Sequence, residues 1–252
     1  MFTANSNLGR RVFGASVFAT GVVALVWHDF KDWDELQGIL NAVVGQVFIY
    51  IAAAAWIFGG IAIQFQRTAK TGALVLGAVY LAFALMCLPG IFQAPRAYNS
   101  WGNIFYQVPM VTGAAIVYAR FSTAWRPGTI ARIAAISLAL CSVSFGLEQV
   151  FNIDYNNTLV PKWLPPNQGF WTWATTVAFE LAAVALVTNR MTLLATRLLT
   201  AMVVLFGLIV WVPIVFSDLH NHSNWNEITE NFAIAGATWI LADFLGEKAA
   251  ST

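Results

Sequence analysis

Eight apolar runs divide the chain, at roughly 12–28, 40–64, 71–92, 103–119, 129–151, 169–188, 193–217 and 227–245. Each comes close to the ~20 residues an α-helix needs to cross a bilayer. Polar or turn-forming residues break them: His28-Asp29, then 64–71, 93–100, 120–128, 152–168, 189–192 and 218–226. Of all residues 59% are hydrophobic and 10% charged, where a soluble domain carries about 25% charged. So few charges cannot cover a water-facing surface. The expected fold class is therefore an all-α membrane protein with eight transmembrane helices.

The runs are written twice. Residues 88–101 read LPGIFQAPRAYNSW, and 211–225 read WVPIVFSDLHNHSNW. Laid 124 positions apart, Pro89 meets Pro213, Phe92 meets Phe216 and Trp101 meets Trp225. Earlier positions match at 123, with Phe48 on Trp171, Tyr50 on Trp173 and Arg67 on Arg190, while Arg11 falls near Arg132 at 121. Small loop insertions account for such drift. Two units follow, 1–125 and 126–252, with four runs each. Four is even, so both enter the membrane in one direction and are related by a pseudo-two-fold axis along its normal.

Charge orients the runs. Arg10, Arg11, Arg67, Lys70, Arg120, Arg126, Arg132, Arg190, Arg197 and Lys248 fall on one side, and Lys31, Arg96 and Lys162 on the other. Basic loops stay cytoplasmic, so an inner-membrane protein with both termini in the cytoplasm is expected. Arg10-Arg11-Val12-Phe13 has the look of a twin-arginine export signal, but no small-residue cleavage site follows. A net charge of +1 and the lack of a basic tract exclude nucleic acid as a partner. Cys87 and Cys141 stand alone in apolar runs, which supports neither a redox pair nor a thiolate metal site.

The loop between the fifth and sixth runs reads Leu159-Val160-Pro161-Lys162-Trp163-Leu164-Pro165-Pro166, with Phe170-Trp171 opening the next run. A short basic turn at Arg190, a long seventh run holding Pro213 and a last run after Trp225 complete the pattern. This resembles the DoxX-like family of four-helix membrane proteins, whose members often carry a VPxWLP loop before their second helix. The resemblance covers 130–245 directly and 11–120 through the repeat, where the loop at 31–40 has Trp33 but no VPxWLP. It implies two fused DoxX-like units. It also implies an association with quinone-linked oxidation or membrane oxidoreductase assemblies, without a catalytic residue set.

Several residues can carry chemistry. Glu180 lies about eleven residues into the sixth run, roughly 16 Å deep at ~1.5 Å per residue. A carboxylate there costs several kcal/mol unless paired or protonated. It is expected to be protonated and to donate a hydrogen bond to a neighbouring helix, structurally or as a proton-handling group. Glu148, followed by Gln149, nears the outer end of the fifth run, where it either joins Asp154 in an acidic rim or snorkels to headgroups.

Asp218, His220 and His222 alternate, so an extended strand would aim all three at one metal ion; a solvated turn is the plainer reading. His28 ends the first run, where it either suits a helix C-terminus or converges on that histidine pair. Trp163, Trp171, Trp173 and Trp225 fit an interfacial belt or a stacking site for a quinone ring.

Three functions fit. The first is an accessory or quinone-contacting subunit of a membrane redox system, partnered by an oxidoreductase subunit. The second is a non-catalytic scaffold anchoring a partner protein. The third is a carrier for a small lipophilic solute, against which the scarcity of polar residues within the runs, Glu180 apart, is an argument.

Overall fold

The computed structural model describes residues 7–29, 43–122 and 126–250. The loop at 31–40, with Lys31 and Trp33, lies outside them. Among the described residues every regular element is helical. In chain order these are α1 (Leu8–Trp27), α2 (Val43–Ala62), α3 (Ala69–Met86), the short α4 (Leu88–Gln93), α5 (Tyr98–Arg120) and α6 (Pro127–Phe151). There follow the short α7 (Ile153–Leu159), α8 (Gln168–Val187), α9 (Thr192–Phe206), a π-helical turn (Gly207–Trp211), α10 (Val212–Ser217) and α11 (His222–Ala250).

Six helical stretches are long and apolar enough to cross a membrane: Leu8–Trp27, Gly45–Ala62, Ala69–Gln93, Gly128–Phe151, Gln168–Val187 and Thr192–Ser217. Two of the eight expected runs, in α5 and α11, fall short of that standard. The reason is visible in their sequences. α5 carries Asn103 and Gln107, and α11 carries Asn226, Glu227, Glu230 and Asn231.

The long helices pack in a closed order. α1 lies on α2, α2 on α3, α3 on α5, α5 on α6, α6 on α8, α8 on α9, α9 on α11, and α11 back on α1. Across the middle, α5 touches α11. The two helices with polar interiors are thus the two with most of their surface against other helices, where polar side chains avoid lipid.

Helix ends follow from local chemistry. Pro89, Pro127 and Pro213 each sit in the first turn of a helix, where a backbone N–H has no intrahelical acceptor. Asn167 caps α8 by accepting from the Phe170 N–H at 2.8 Å. At the other end of α8, the Arg132 guanidinium donates to the Leu186 and Val187 carbonyls, both at 2.7 Å. Three indoles tie loops to the helices after them. Trp101 donates to Pro95 O at 3.0 Å, Trp171 to Pro165 O at 2.7 Å and Trp225 to Leu219 O at 3.0 Å.

Contact between α1 and α11 is intimate. A Cβ on Gly9 would lie 2.6 Å from Ile240 N, and one on Gly236 would strike the Phe13 backbone. Small residues allow such approach and the dispersion energy that comes with it. Elsewhere the helices are linked by hydroxyls: Thr112 with Ser137 at 2.9 Å, and Thr200 with Thr238 at 3.2 Å.

Gly236→Val should destabilise the protein by about 1–3 kcal/mol or more, since α1 cannot back away without leaving α2 as well. Thermal unfolding in detergent would register this as an earlier transition. Trp101→Phe and Trp225→Phe should each cost about 1 kcal/mol, and by similar amounts, because each removes one equivalent hydrogen bond.

Candidate functional site

The richest polar surface lies where α6 faces α5, α7 and α8. Ser144 and Glu148 of α6 and its C-cap residue Asn152 follow one another every fourth residue. The Glu148 carboxylate accepts from Asn152 Nδ2 at 3.4 Å and from Asn156 Nδ2 at 3.2 and 3.3 Å. Asp154 is exposed and takes no part, so an acidic pair does not form. Above Ser144, the Tyr98 hydroxyl donates to its carbonyl and lies 2.8 Å from its Oγ and 3.4 Å from the Tyr106 hydroxyl. Gln149 turns toward α8, where its Oε1 accepts from Thr175 at 3.2 Å and Thr176 at 2.7 Å.

Beneath these groups runs a file of rings across four helices. Tyr106 of α5 stacks on Phe145 of α6 at 5.0 Å and 20°. Phe145 stacks on Phe179 of α8 at 5.2 Å and 25°, and Phe179 meets Phe206 of α9 edge-on at 6.1 Å. Offset stacking of this kind favours flat, apolar neighbours.

Glu180 follows Phe179 directly. Its carboxyl lies against Gly146 of α6, where any Cβ would collide with Oε1. It has no hydrogen bond to another helix, contrary to expectation, and the side chain is half-buried. Val177, Leu181 and Val184 on the adjoining face of α8 are all exposed. The carboxyl therefore opens sideways at an apolar surface, and not into an aqueous pore.

The outer residues do not gather into a metal centre. α11 begins at His222, so the strand that would align Asp218, His220 and His222 is absent. Asp218 instead accepts from the His220 N–H at 3.1 Å, which closes a turn. His222 is buried, stacked on Trp27 at 5.0 Å and 3°, with Nε2 3.2 Å from Asn226 Nδ2. Among the described residues no three His, Cys, Asp or Glu side chains group closely enough to hold a metal ion. His28 takes the left-handed position after α1, and its Nδ1 is 3.1 Å from the Tyr50 hydroxyl. Nor do the tryptophans converge: Trp163 is 71% exposed, Trp173 faces outward, and Trp171 and Trp225 each serve their own loop.

Sequence reading missed the interior of the central helices. Gln107, only 2% exposed, and Asn231 each hold a buried amide oxygen with no hydrogen-bond partner. Asn231 sits beside Gly207, whose Cβ would come within 2.8 Å of its Oδ1. Glu230 lies within electrostatic reach of the Tyr80 and Tyr106 hydroxyls and the Cys141 thiol. The interior is thus more polar than Glu180 alone suggested. One signal was available, since Gln107 and Asn231 stand 124 positions apart, the spacing of Pro89 and Pro213.

The chain matches no protein-family model, no curated protein and no solved structure.

A half-buried carboxyl without a partner costs stability that an apolar side chain would not. Glu180→Leu should accordingly raise the unfolding temperature, by the equivalent of about 1–3 kcal/mol. Differential scanning fluorimetry in detergent would measure it; a lowered transition would show that Glu180 holds the fold together after all.

Proposed function

We propose that this chain is an integral membrane protein that binds the ring of a lipophilic, quinone-type molecule in the groove between α6 and α8, as an accessory component of a membrane redox system. One observation carries the proposal: the Glu180 carboxyl, with no hydrogen-bond partner, lies against Gly146 next to Phe179 of the ring file Tyr106–Phe145–Phe179–Phe206, beside the exposed apolar Val177, Leu181 and Val184. A protonated carboxyl donates a hydrogen bond, and quinone oxygens accept one. Flat aromatic walls suit a flat ring. Such a molecule would bring two-electron, two-proton chemistry; the protein's part is to admit it from the lipid, orient it and hold a proton at Glu180 Oε1 or Oε2. Electrons would reach it from an oxidoreductase partner.

On this reading all eight long helices cross the membrane. The arginine-bearing ends of α1, α5, α6 and α9 face the cytoplasm, and residues 1–125 and 126–252 are two DoxX-like four-helix units. Several features support the duplication. The packing order maps onto itself when α1, α2, α3 and α5 exchange with α6, α8, α9 and α11. Trp101 and Trp225 make the same hydrogen bond, and their acceptors, Pro95 and Leu219, are also 124 residues apart. Trp56 stacks on Phe83 in the first half where Phe179 meets Phe206 in the second, both at a spacing of 123. VPKWLPP before α8 supports the family. A solute path between the halves fits less well, because α5 and α11 close up at Gly113, where a Cβ would be 3.0 Å from that of Ala237.

The test is quantitative extraction of quinone from protein purified gently out of its native membrane, by liquid chromatography and mass spectrometry. Wild type should retain quinone in stoichiometric amounts. Glu180→Leu, which removes the carboxyl donor and is expected to stay folded, should lose it about tenfold or more. Ordinary phospholipid alone on the wild type would end the proposal, and a bound non-redox protein would replace it with a scaffold.

A further inference from the structure

A second site lies at the arginine-rich end of the bundle, among α1, α5 and α11. Arg10 occupies the first turn of α1 and is only 7% exposed, yet its Nε and Nη1 are buried without a hydrogen-bond partner. Among the described residues no carboxylate lies within ion-pair distance of it, whereas Arg120 pairs with Glu247 at 2.7 Å. The side chain instead lines a small cleft, with Asn7, Val117, Arg120, Phe121, Ile240 and Asp243 around it. An unpaired guanidinium removed from water is expensive unless something supplies the missing acceptors.

The surroundings select the sign of that ligand. The positive charges of Arg11 and Arg120 both act on Arg10. α1 points its N-terminus, the positive end of its dipole, at the same place. Asp243, the acid on the rim, is turned to the backbone, where its Oδ2 accepts from the Gly9 N–H at 3.4 Å. A planar guanidinium offers several N–H donors at once, which suits the several oxygens of a phosphate. Val117, Phe121 and Ile240 give the same cleft an apolar side.

We propose that this cleft binds a phosphate-type oxyanion, gripped by Arg10 and flanked by Arg120 and Asn7. The chemistry is shared by a phospholipid headgroup and by free phosphate. The apolar wall and the position at a helix-bundle end suit the first, and the experiment separates them.

Wild type, Arg10→Met and Arg10→Lys would be compared by thermal unfolding in a neutral detergent, with either phosphatidylglycerol doped into the micelles or millimolar sodium phosphate added. Wild type should gain about 3 °C or more with one of these additions. A gain with lipid alone assigns the headgroup, and a gain with phosphate alone assigns the free ion. Arg10→Met should show no gain from either. Arg10→Lys, which keeps the charge and loses the fork, should keep less than half. Native mass spectrometry, counting lipid adducts per chain, reads the same comparison without relying on stability. No gain in wild type from either addition, or an equal gain in Arg10→Met, overturns the site.

Discussion

The closeness of α1 to α11 is what the other contacts depend on. Those two helices join the beginning of the chain to its end, and their backbones touch where Gly9 and Gly236 remove the side chains that would hold them apart. In lipid, helices gain little from hiding apolar surface, so association rests on dispersion at short range and on hydrogen bonds between helices. Once α1 is seated, α2 follows it on one side and α11 is fixed against α5 on the other. The order of packing becomes a closed circuit with α5 and α11 in contact across it.

That circuit explains how a membrane-like chain tolerates so polar a centre. Gln107, Glu230 and Asn231 belong to helices that other helices surround. The price of an unsatisfied amide is set by its immediate neighbours, and around α5 and α11 those include tyrosines, threonines and a carboxyl group. Glu180 differs in kind. It stands on α8, at the border of an exposed apolar face formed by Val177, Leu181 and Val184. Burial among helices and exposure to lipid are separate ways of keeping water from a carboxyl group, and they suit different ligands.

Much of the architecture was legible beforehand, because apolar run length and turn residues report directly on helices that cross lipid. On the described residues the breaks between runs fall at helix ends or loops. At α11 the eighth run begins at Glu227, whereas the helix begins five residues earlier, at His222, and holds Glu227, Glu230 and Asn231 well inside its 29 residues. The site was less legible. Alternation in Asp218, His220 and His222 assumed an extended backbone, and helix α11 starts one residue too early for that. Glu180 was found by depth alone, but the ring file beside it joins residues from four helices, and no local pattern encodes that neighbourhood. Arg10 passed for an ordinary topological charge, since sequence gives no hint of which arginine loses its water.

The π-helical turn at Gly207–Trp211 has one more consequence. Equivalent residues of the proposed units run 123 apart as far as Phe83 and Phe206, and 124 apart from Pro89 and Pro213 onward. The π turn lies between these two pairs, and a π turn accommodates one additional residue inside a helix. An insertion that widens one turn leaves both helix ends in place. Under the proposed duplication, the two halves differ over this stretch by one residue, which the second half carries as a bulge in the middle of a helix.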